Sequence, residues 1–389
     1  MAATGPVRVA MDIRILQGED ARNGIGVYTR GLVEALLPRA GVLGLKVFLL
    51  IDPRLAAPEV DIEGAAEVVP VILTGKRGWL SRRTPPSAEG LSQAAKRRGA
   101  QVLHVCSPLH GPFDWEPLRG AETVATVYDL IPLLDRRHYL DRWPVSARRR
   151  YQVRLRSLKS LSAIFAISAS VAEDVARHAG VSRDRITVAY PGSRARLSEG
   201  LGEADREPRR SVLAFGSLNP SKNTDLLVRA YARVAPELRQ HHRFRLVGPD
   251  SPEWRTWIQR RLLELGIAHD VDSCFAVPDA DLNRFYAHAA LVVIPSRAEG
   301  FGLPALEAMA RGAPVVASNI PVLREVVGDA GITFDPEDAD ALAKVVERVL
   351  QDPAEQKALS EAGMKRAAMF SWTKTAETVA GVYLRLARP

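Results

Sequence analysis

The sequence predicts an α/β protein made of two doubly wound domains in series, and three observations predict it. Short β-rich runs alternate with helical patterns along nearly the whole chain of 389 residues, the order that builds parallel sheets with crossover helices. That length exceeds what a single hydrophobic core serves, which favours two domains. The alternation is interrupted once, by the polar stretch SRARLSEGLGEADREPRR at 193–210, which lacks apolar periodicity and reads as a linker.

In the first half the predicted strands are VRVAMDI, LKVFLLI, VVPVIL, QVLHV, TVATVYD, AIFAIS and RITVAY. Helical segments lie between most of them, including VYTRGLVEALL and the stretch from Trp143 to Lys159. After the linker the strands are SVLAFGS, FRLVG, LVVIP, PVVAS and GITF, each followed by a helical segment. Ligands of such sheets bind outside the carboxyl ends of the strands. Chemistry is therefore expected on the loops that follow strands, and two such domains imply a cleft between them.

Composition narrows the class. Hydrophobic content of 47% with 25% charged residues is ordinary for a globular protein. No apolar run approaches the roughly 18 residues of a membrane-spanning helix. MAATGPVRVAMDIRIL reads as a first strand and not as a secretory leader. Cys106 and Cys274 match no metal or redox spacing, which suits a reduced, cytoplasmic compartment. The net charge of +8 is uneven: residues 1–200 hold 29 Lys+Arg and 20 Asp+Glu, or +9, leaving 53−29=24 and 45−20=25, or −1, for the remainder. The basic half points to an anionic partner, with nucleic acid, an anionic membrane surface and a phosphorylated substrate all open on charge alone. Nucleic acid would call for basic residues interleaved with several aromatics, or a known module, and neither is present.

The strongest motif is EGFGLPALEAMARG, Glu299 to Gly312. It follows the apolar run LVVIPS, places Pro304 at the start of a helix and Gly312 just past its end. Gly300 and Gly302 strip side chains from the entry to that helix, which leaves N–H groups and the positive end of a dipole for an anion such as a diphosphate. Glu307 falls in the first helical turn. Beside a phosphate a carboxylate makes sense only if it accepts hydrogen bonds from hydroxyls, such as those of a ribose. Glu299 could do the same for a sugar ring. The plain alternative is a helix with favourable acids near its N-terminus.

EGFGLPALEAMARGAPVVAS, followed by PVLREVVGDAGITFDPEDADALA, resembles the E-x7-E donor site of retaining glycosyltransferases of family four, which have the GT-B fold. Further matches are GIGVYTRGLVEAL, TVYDLIPLL, FAISASVAEDV, FGSLNPSKNTDLLVRAYARV, DLNRFYAHAALVVIPS and FSWTKTAETVAGVY, so the resemblance spans nearly the full length. It implies transfer of a sugar from a nucleotide-diphosphate donor with retention of anomeric configuration, with no metal and no cofactor. It implies an acceptor domain at 1–200, a donor domain at 211–371, and a terminal helix at 372–389 packed back on the first. Glu307 would bind the ribose; Glu299 and the amides of Phe301, Gly302 and Leu303 would hold the sugar and diphosphate. The TVYDLIPLL and LNPSKN styles are similar to bacterial polysaccharide mannosyl- and related transferases, which favours GDP-mannose as donor and a saccharide or lipid-diphosphate-linked saccharide as acceptor.

The remaining site residues follow from the same resemblance. In FGSLNPSKN, Lys222 opens a helix beside Asn223 and would neutralise the leaving diphosphate. The family commonly adds an arginine here, where this chain has Ser217 and Ser221. Arg297 could replace that charge, or pair with Glu299, or lie solvated. NGIGVYT places Gly24 and Gly26 on the loop that closes on the diphosphate and acceptor in the family. TVYDLIPLL sets Tyr128 and Asp129 at a strand end, where many relatives have a histidine-aspartate pair; Tyr128 can donate a hydrogen bond but is a poor base, and Asp129 could equally cap its loop. The two DAD triplets, Asp279–Asp281 and Asp338–Asp340, precede helical runs and read as caps.

Two basic tracts account for the charge split. GKRGWLSRR at 75–83 sets Trp79 and Leu80 among four cations, a composition suited to a membrane interface and hence to a peripheral place on the inner face of the cytoplasmic membrane. RRRYQVRLRSLK at 148–159 reads as a helix with Tyr151, Leu155 and Leu158 toward the core and a solvated basic face. Two rivals to a transferase remain: a sugar-nucleotide epimerase of similar architecture, which would carry a serine-glycine-glycine turn absent here, and a non-catalytic sugar-nucleotide-binding protein.

Overall fold

The structure is a computed structural model that describes residues 5–58, 60, 67–71, 91–111, 115, 117–118, 120–193 and 209–387. The basic loop at 75–83 lies outside the described residues. Two compact units emerge, one running to Gly192 and resuming at Ser371, the other from Ser193 to Phe370.

In the first unit, β1 (Val7–Asp12), β2 (Leu45–Ile51), β3 (Glu67–Pro70), β4 (Val102–Val105), β5 (Glu122–Val127), β6 (Ala163–Ala166) and β7 (Ile186–Val188) form one sheet in the order β3-β2-β1-β4-β5-β6-β7. Every described pairing in it is parallel. The second unit holds β8 (Ser211–Phe215), β9 (Arg243–Gly248), β10 (Val271–Phe275), β11 (Ala289–Ile294), β12 (Val315–Ser318) and β13 (Ile332–Phe334), ordered β10-β9-β8-β11-β12-β13 and again parallel. Central strands such as β11, AALVVI, are buried at every residue. A parallel sheet covered on both faces needs apolar residues at consecutive positions, which is why these strands appear as continuous runs. β10 is the strand the sequence pattern misses. It sits at the sheet edge, and its VDSCF mixes polar residues into a half-buried pattern.

The helix Trp372–Ala387 belongs to the first unit, and its docking explains two glycines. A Cβ on Gly31 would collide with the Trp372 indole, and one on Gly192 with the Trp372 backbone. The indole meets the Tyr28 ring edge-on at 5.4 Å. Further along, Tyr383 is fully buried and its hydroxyl lies 2.5 Å from Nδ1 of His104 on β4, while Nε2 of that histidine lies 2.8 Å from Thr126 Oγ1 on β5.

The helix Val145–Ser157 confirms a helix in the second basic tract. Tyr151 and, just past the helix, Leu158 are buried as expected, and the basic face departs from the expectation at Arg154, which is only 7% exposed. Arg154 turns inward because its Nη1 donates to the Gly111 carbonyl at 2.8 Å, with its stem packed along the way.

Candidate functional site

Each sheet reverses its winding once, between β1 and β4 in the first unit and between β8 and β11 in the second. Ligand crevices of open α/β sheets form at such switch points, beyond the strand carboxyl ends.

In the second unit the loops leaving β8 and β11 bring two predicted residues together. Lys222 Nζ donates to Glu299 Oε1 at 2.7 Å, and Ser296 Oγ donates to the same oxygen at 2.7 Å. The lysine side chain is 34% exposed and the glutamate 13%. The pair is part-buried, with the lysine the more accessible partner and so the one open to an arriving anion.

The chain then turns through Gly300 and Phe301 into the helix Leu303–Ala310. Gly302 stands at its N-cap with φ 97° and ψ 46°, and a Cβ there would lie 2.6 Å from Leu323 Cδ2. Both the left-handed backbone and the close approach require glycine. No side chain caps this helix; Pro304 has no N–H and the Ala305 and Leu306 N–H groups donate to the Gly302 carbonyl at 2.9 and 3.3 Å, so the Leu303 N–H is the one at the head of the helix suited to a partner from outside it. Phe301 is buried and meets Phe370 edge-on at 5.5 Å, which makes its side chain an anchor and leaves only its backbone for binding. Glu307 is the fifth residue of the helix and so lies past the first turn where it was expected; it is 4% exposed, and Ser193 Oγ donates to its Oε2 at 3.0 Å.

The turn after β8 shows what the serines do. The Ser217 N–H donates to Thr224 Oγ1 at 3.1 Å, and Ser221 donates both its N–H and its hydroxyl to Asn219 Oδ1, at 3.0 and 2.9 Å. They shape the turn and bring no charge. Asn223 takes left-handed backbone with φ 53°, and its Nδ2 donates to the carbonyls of Pro295 and Pro336 at 3.0 and 2.8 Å. Asn223 is buried and its amide nitrogen ties two loops together, while its Oδ1 is left without a hydrogen-bond partner among the described residues. Arg297 is solvent-exposed, as one of the expected alternatives had it. Its guanidinium makes a two-point pair with Glu337 at 2.7 and 3.1 Å, which holds the Glu337 carboxyl below the usual carboxylate range. It shares with Ser217, Asn219 and Trp257 the wall of a cavity of about 170 Å³.

In the first unit, Gly24 and Gly26 open the helix Gly24–Leu36. Neither has positive φ; Gly26 is required because a Cβ would strike the Ala21 carbonyl. Here the helix is capped internally, with Asn23 Oδ1 accepting from the N–H groups of Ile25 and Gly26 at 3.0 and 3.4 Å. Tyr128 is 3% exposed. Its hydroxyl donates to the Cys106 carbonyl at 2.7 Å and meets Thr29 Oγ1 at 2.8 Å, and burial pushes the phenol well above its usual range. The expectation of Tyr128 beside a substrate is corrected, because its one hydroxyl is spent inside the fold. The group beside Asp129 is instead His110, on the loop after β4, with Nε2 and Oδ2 3.9 Å apart. Nothing in the local sequence marked His110; only the adjacency of β4 and β5 brings the two together.

Asp338 caps its helix, with Oδ1 accepting from the N–H groups of Asp340 and Ala341 at 2.9 Å each. Asp279 opens the helix Asp279–Ala287. Among the described residues no group of three or more His, Cys, Asp or Glu is placed to hold a metal ion, and no helix is long and apolar enough to cross a membrane.

Comparison with known proteins places this arrangement. The family described as Glycosyltransferase Family 4 matches residues 22–194, and that described as Glycosyl transferases group 1 matches residues 202–366. The chain is 30% identical to O-antigen chain mannosyltransferase B of Escherichia coli, over 92% of this chain and 94% of that protein. It is 28% identical to the serotype-specific mannosyltransferase WbdA of Escherichia coli over 98% of this chain, but spans only 48% of that longer relative. Sucrose-phosphate synthase from Thermosynechococcus elongatus superposes with a TM-score of 0.72 at 22% identity, covering 98% of this chain and 99% of that one. Matched by these two families in succession, and similar over nearly the full length of a mannosyltransferase, the chain belongs to glycosyltransferase family 4 and has the GT-B fold of two doubly wound domains.

Proposed function

We propose that this protein transfers a sugar, with retention of configuration, from a nucleotide-diphosphate donor to a saccharide or lipid-linked saccharide in cell-surface polysaccharide or glycolipid synthesis, with GDP-mannose the favoured donor. The observation that carries the proposal is the convergence of Lys222 and Glu299 at the switch point of the second sheet, beside a helix that begins at Leu303 without a side-chain cap and carries Glu307. Both mannosyltransferases named above favour the sugar. On this reading the second unit holds the donor and the basic first unit the acceptor. The departing phosphate takes the acceptor proton, so no protein base is needed. The chain contributes position and charge: Lys222 and the amides at Phe301–Leu303 stabilise the leaving diphosphate. Glu299 orients sugar hydroxyls, and Glu307 accepts from the ribose. No metal is called for.

Glu307→Ala is expected to weaken donor binding about ten- to a hundredfold, the worth of one or two hydrogen bonds to a charged acceptor. Titration calorimetry with GDP-, UDP-, TDP- and ADP-linked sugars measures this and identifies the base. Affinity unchanged by the substitution would remove Glu307 from the site. Conversion of the nucleotide sugar with no acceptor present would instead favour the epimerase reading.

The excess positive charge of residues 1–200 also supports contact with an anionic membrane surface. Co-sedimentation with vesicles containing anionic lipid should capture the wild type, and less of a Trp79→Ala variant. A wild type left in the supernatant at low salt would end that part of the proposal.

A further inference from the structure

The loop after β4, from Cys106 to Gly111, is held by hydrogen bonds to its carbonyls. Tyr128 donates to Cys106, Trp115 Nε1 to Pro108 at 2.8 Å, and Arg154 to Gly111. Such a loop presents its side chains in fixed positions, and it leaves β4 at the switch point of the first sheet. His110 stands on it, with the Tyr128 ring edge-on at 6.2 Å.

Asp129 leaves the neighbouring strand β5. Its Oδ1 is used locally, accepting the Ile131 N–H at 3.0 Å. Its Oδ2 faces His110 Nε2 across 3.9 Å, and both side chains are 21% exposed. That gap is too long for a hydrogen bond, and it is the separation at which one hydroxyl can bond to both sides. Two neighbouring groups add to the unmet demand: among the described residues, His110 Nδ1 and Ser107 Oγ are buried without hydrogen-bond partners. Buried polar atoms are rarely left so, and each such group calls for an explanation, a catalytic role or a missing partner among them.

We propose that His110 and Asp129 form a hydroxyl-binding pair for the acceptor saccharide. The acceptor oxygen takes the Nε2–H of His110, and its own O–H donates to Asp129 Oδ2. In that tautomer Nδ1 is an acceptor, which places the imidazole as a positioning group and not as the base. The inference rests on the proposed transferase function and assigns the first unit's part in it.

The test follows the imidazole itself. In the full-length wild type with GDP or UDP present, the Cε1–H resonance of His110, identified by its loss in His110→Gln, should move saturably with a methyl α-glycoside. The panel is the methyl α-glycosides of mannose, glucose, galactose and N-acetylglucosamine. Asp129→Asn and His110→Ala should each weaken that binding about tenfold or more, with nucleotide-sugar affinity and melting temperature near wild type. His110→Gln, whose amide nitrogen replaces Nε2–H, should keep affinity within about threefold, while His110→Asn, which mimics only Nδ1, should not. A His110 resonance indifferent to all four glycosides would overturn the inference. So would wild-type glycoside affinity in either His110→Ala or Asp129→Asn, which would mean that only a water bridges the pair. A wild type that binds no nucleotide sugar would instead end the transferase reading, so the two failures are distinguishable.

Discussion

Lys222→Ala is expected to lower kcat about a hundred- to thousandfold, the usual cost of removing one preorganised group from developing negative charge, with a much smaller effect on donor affinity. The family's frequent arginine is absent at Ser217 and Ser221, both of which serve the turn. Arg297, the nearest substitute on that face, is held by Glu337. On the proposed reading Lys222 carries an unusual share of the leaving-group charge. A rival account makes it only the counter-ion of Glu299, 2.7 Å away. A double-mutant cycle separates the two. If Lys222 merely neutralises Glu299, Glu299→Gln should suppress the defect of Lys222→Ala. If it stabilises the diphosphate, the two losses in kcat should multiply, and Lys222→Arg should recover part of the rate. Single-turnover kinetics with saturating donor reads the outcome, and a Lys222→Ala enzyme with near-normal kcat would refute the assignment.

What was legible in the sequence follows the physics of parallel sheets. Buried central strands announce themselves as apolar runs, so β1, β8 and β11 were readable, while edge strand β10 was not, because half of VDSCF faces water. The helix at 303–310 was readable from its punctuation, Gly302 before it, Pro304 in its first turn and Gly312 after. Which loops meet was not readable, since strand order is not written in any local pattern. Lys222 and Glu299 are 77 positions apart and touch only because β8 lies beside β11. The same holds for His110 and Asp129 across β4 and β5. Tyr128 was misjudged for a related reason. A polar residue at a strand end can face the ligand or fold inward to satisfy a carbonyl, and only the carbonyl of Cys106 decides between them.

Acidification between pH 7 and 5 should destabilise the first unit through one residue, His104. It is fully buried, with both ring nitrogens engaged by the hydroxyls of Tyr383 and Thr126, and burial lowers its pKa to about 3. In the unfolded chain the value returns to about 6.5. Above that pH the histidine is neutral in both states and contributes no pH dependence. Below it the unfolded chain takes up a proton that the folded one refuses, so stability falls as pH drops toward the folded value, by about 1.4 kcal/mol per pH unit. Between pH 7 and 5 the loss is about 2 kcal/mol, or several degrees in Tm for a domain of this size. Carboxylates add little in that window, because their unfolded values lie near 4. His104→Gln keeps a polar partner for Tyr383 and Thr126 but cannot titrate, so its Tm should be lower at pH 7 and fall less steeply from pH 7 to 5. Parallel Tm profiles for the two proteins would show that His104 is not the group responsible. Because Tyr383 lies on the helix Trp372–Ala387, the same acid step should raise amide exchange in that helix first, as an opening that exposes His104 to water lets the imidazole take up the proton it refuses in the fold.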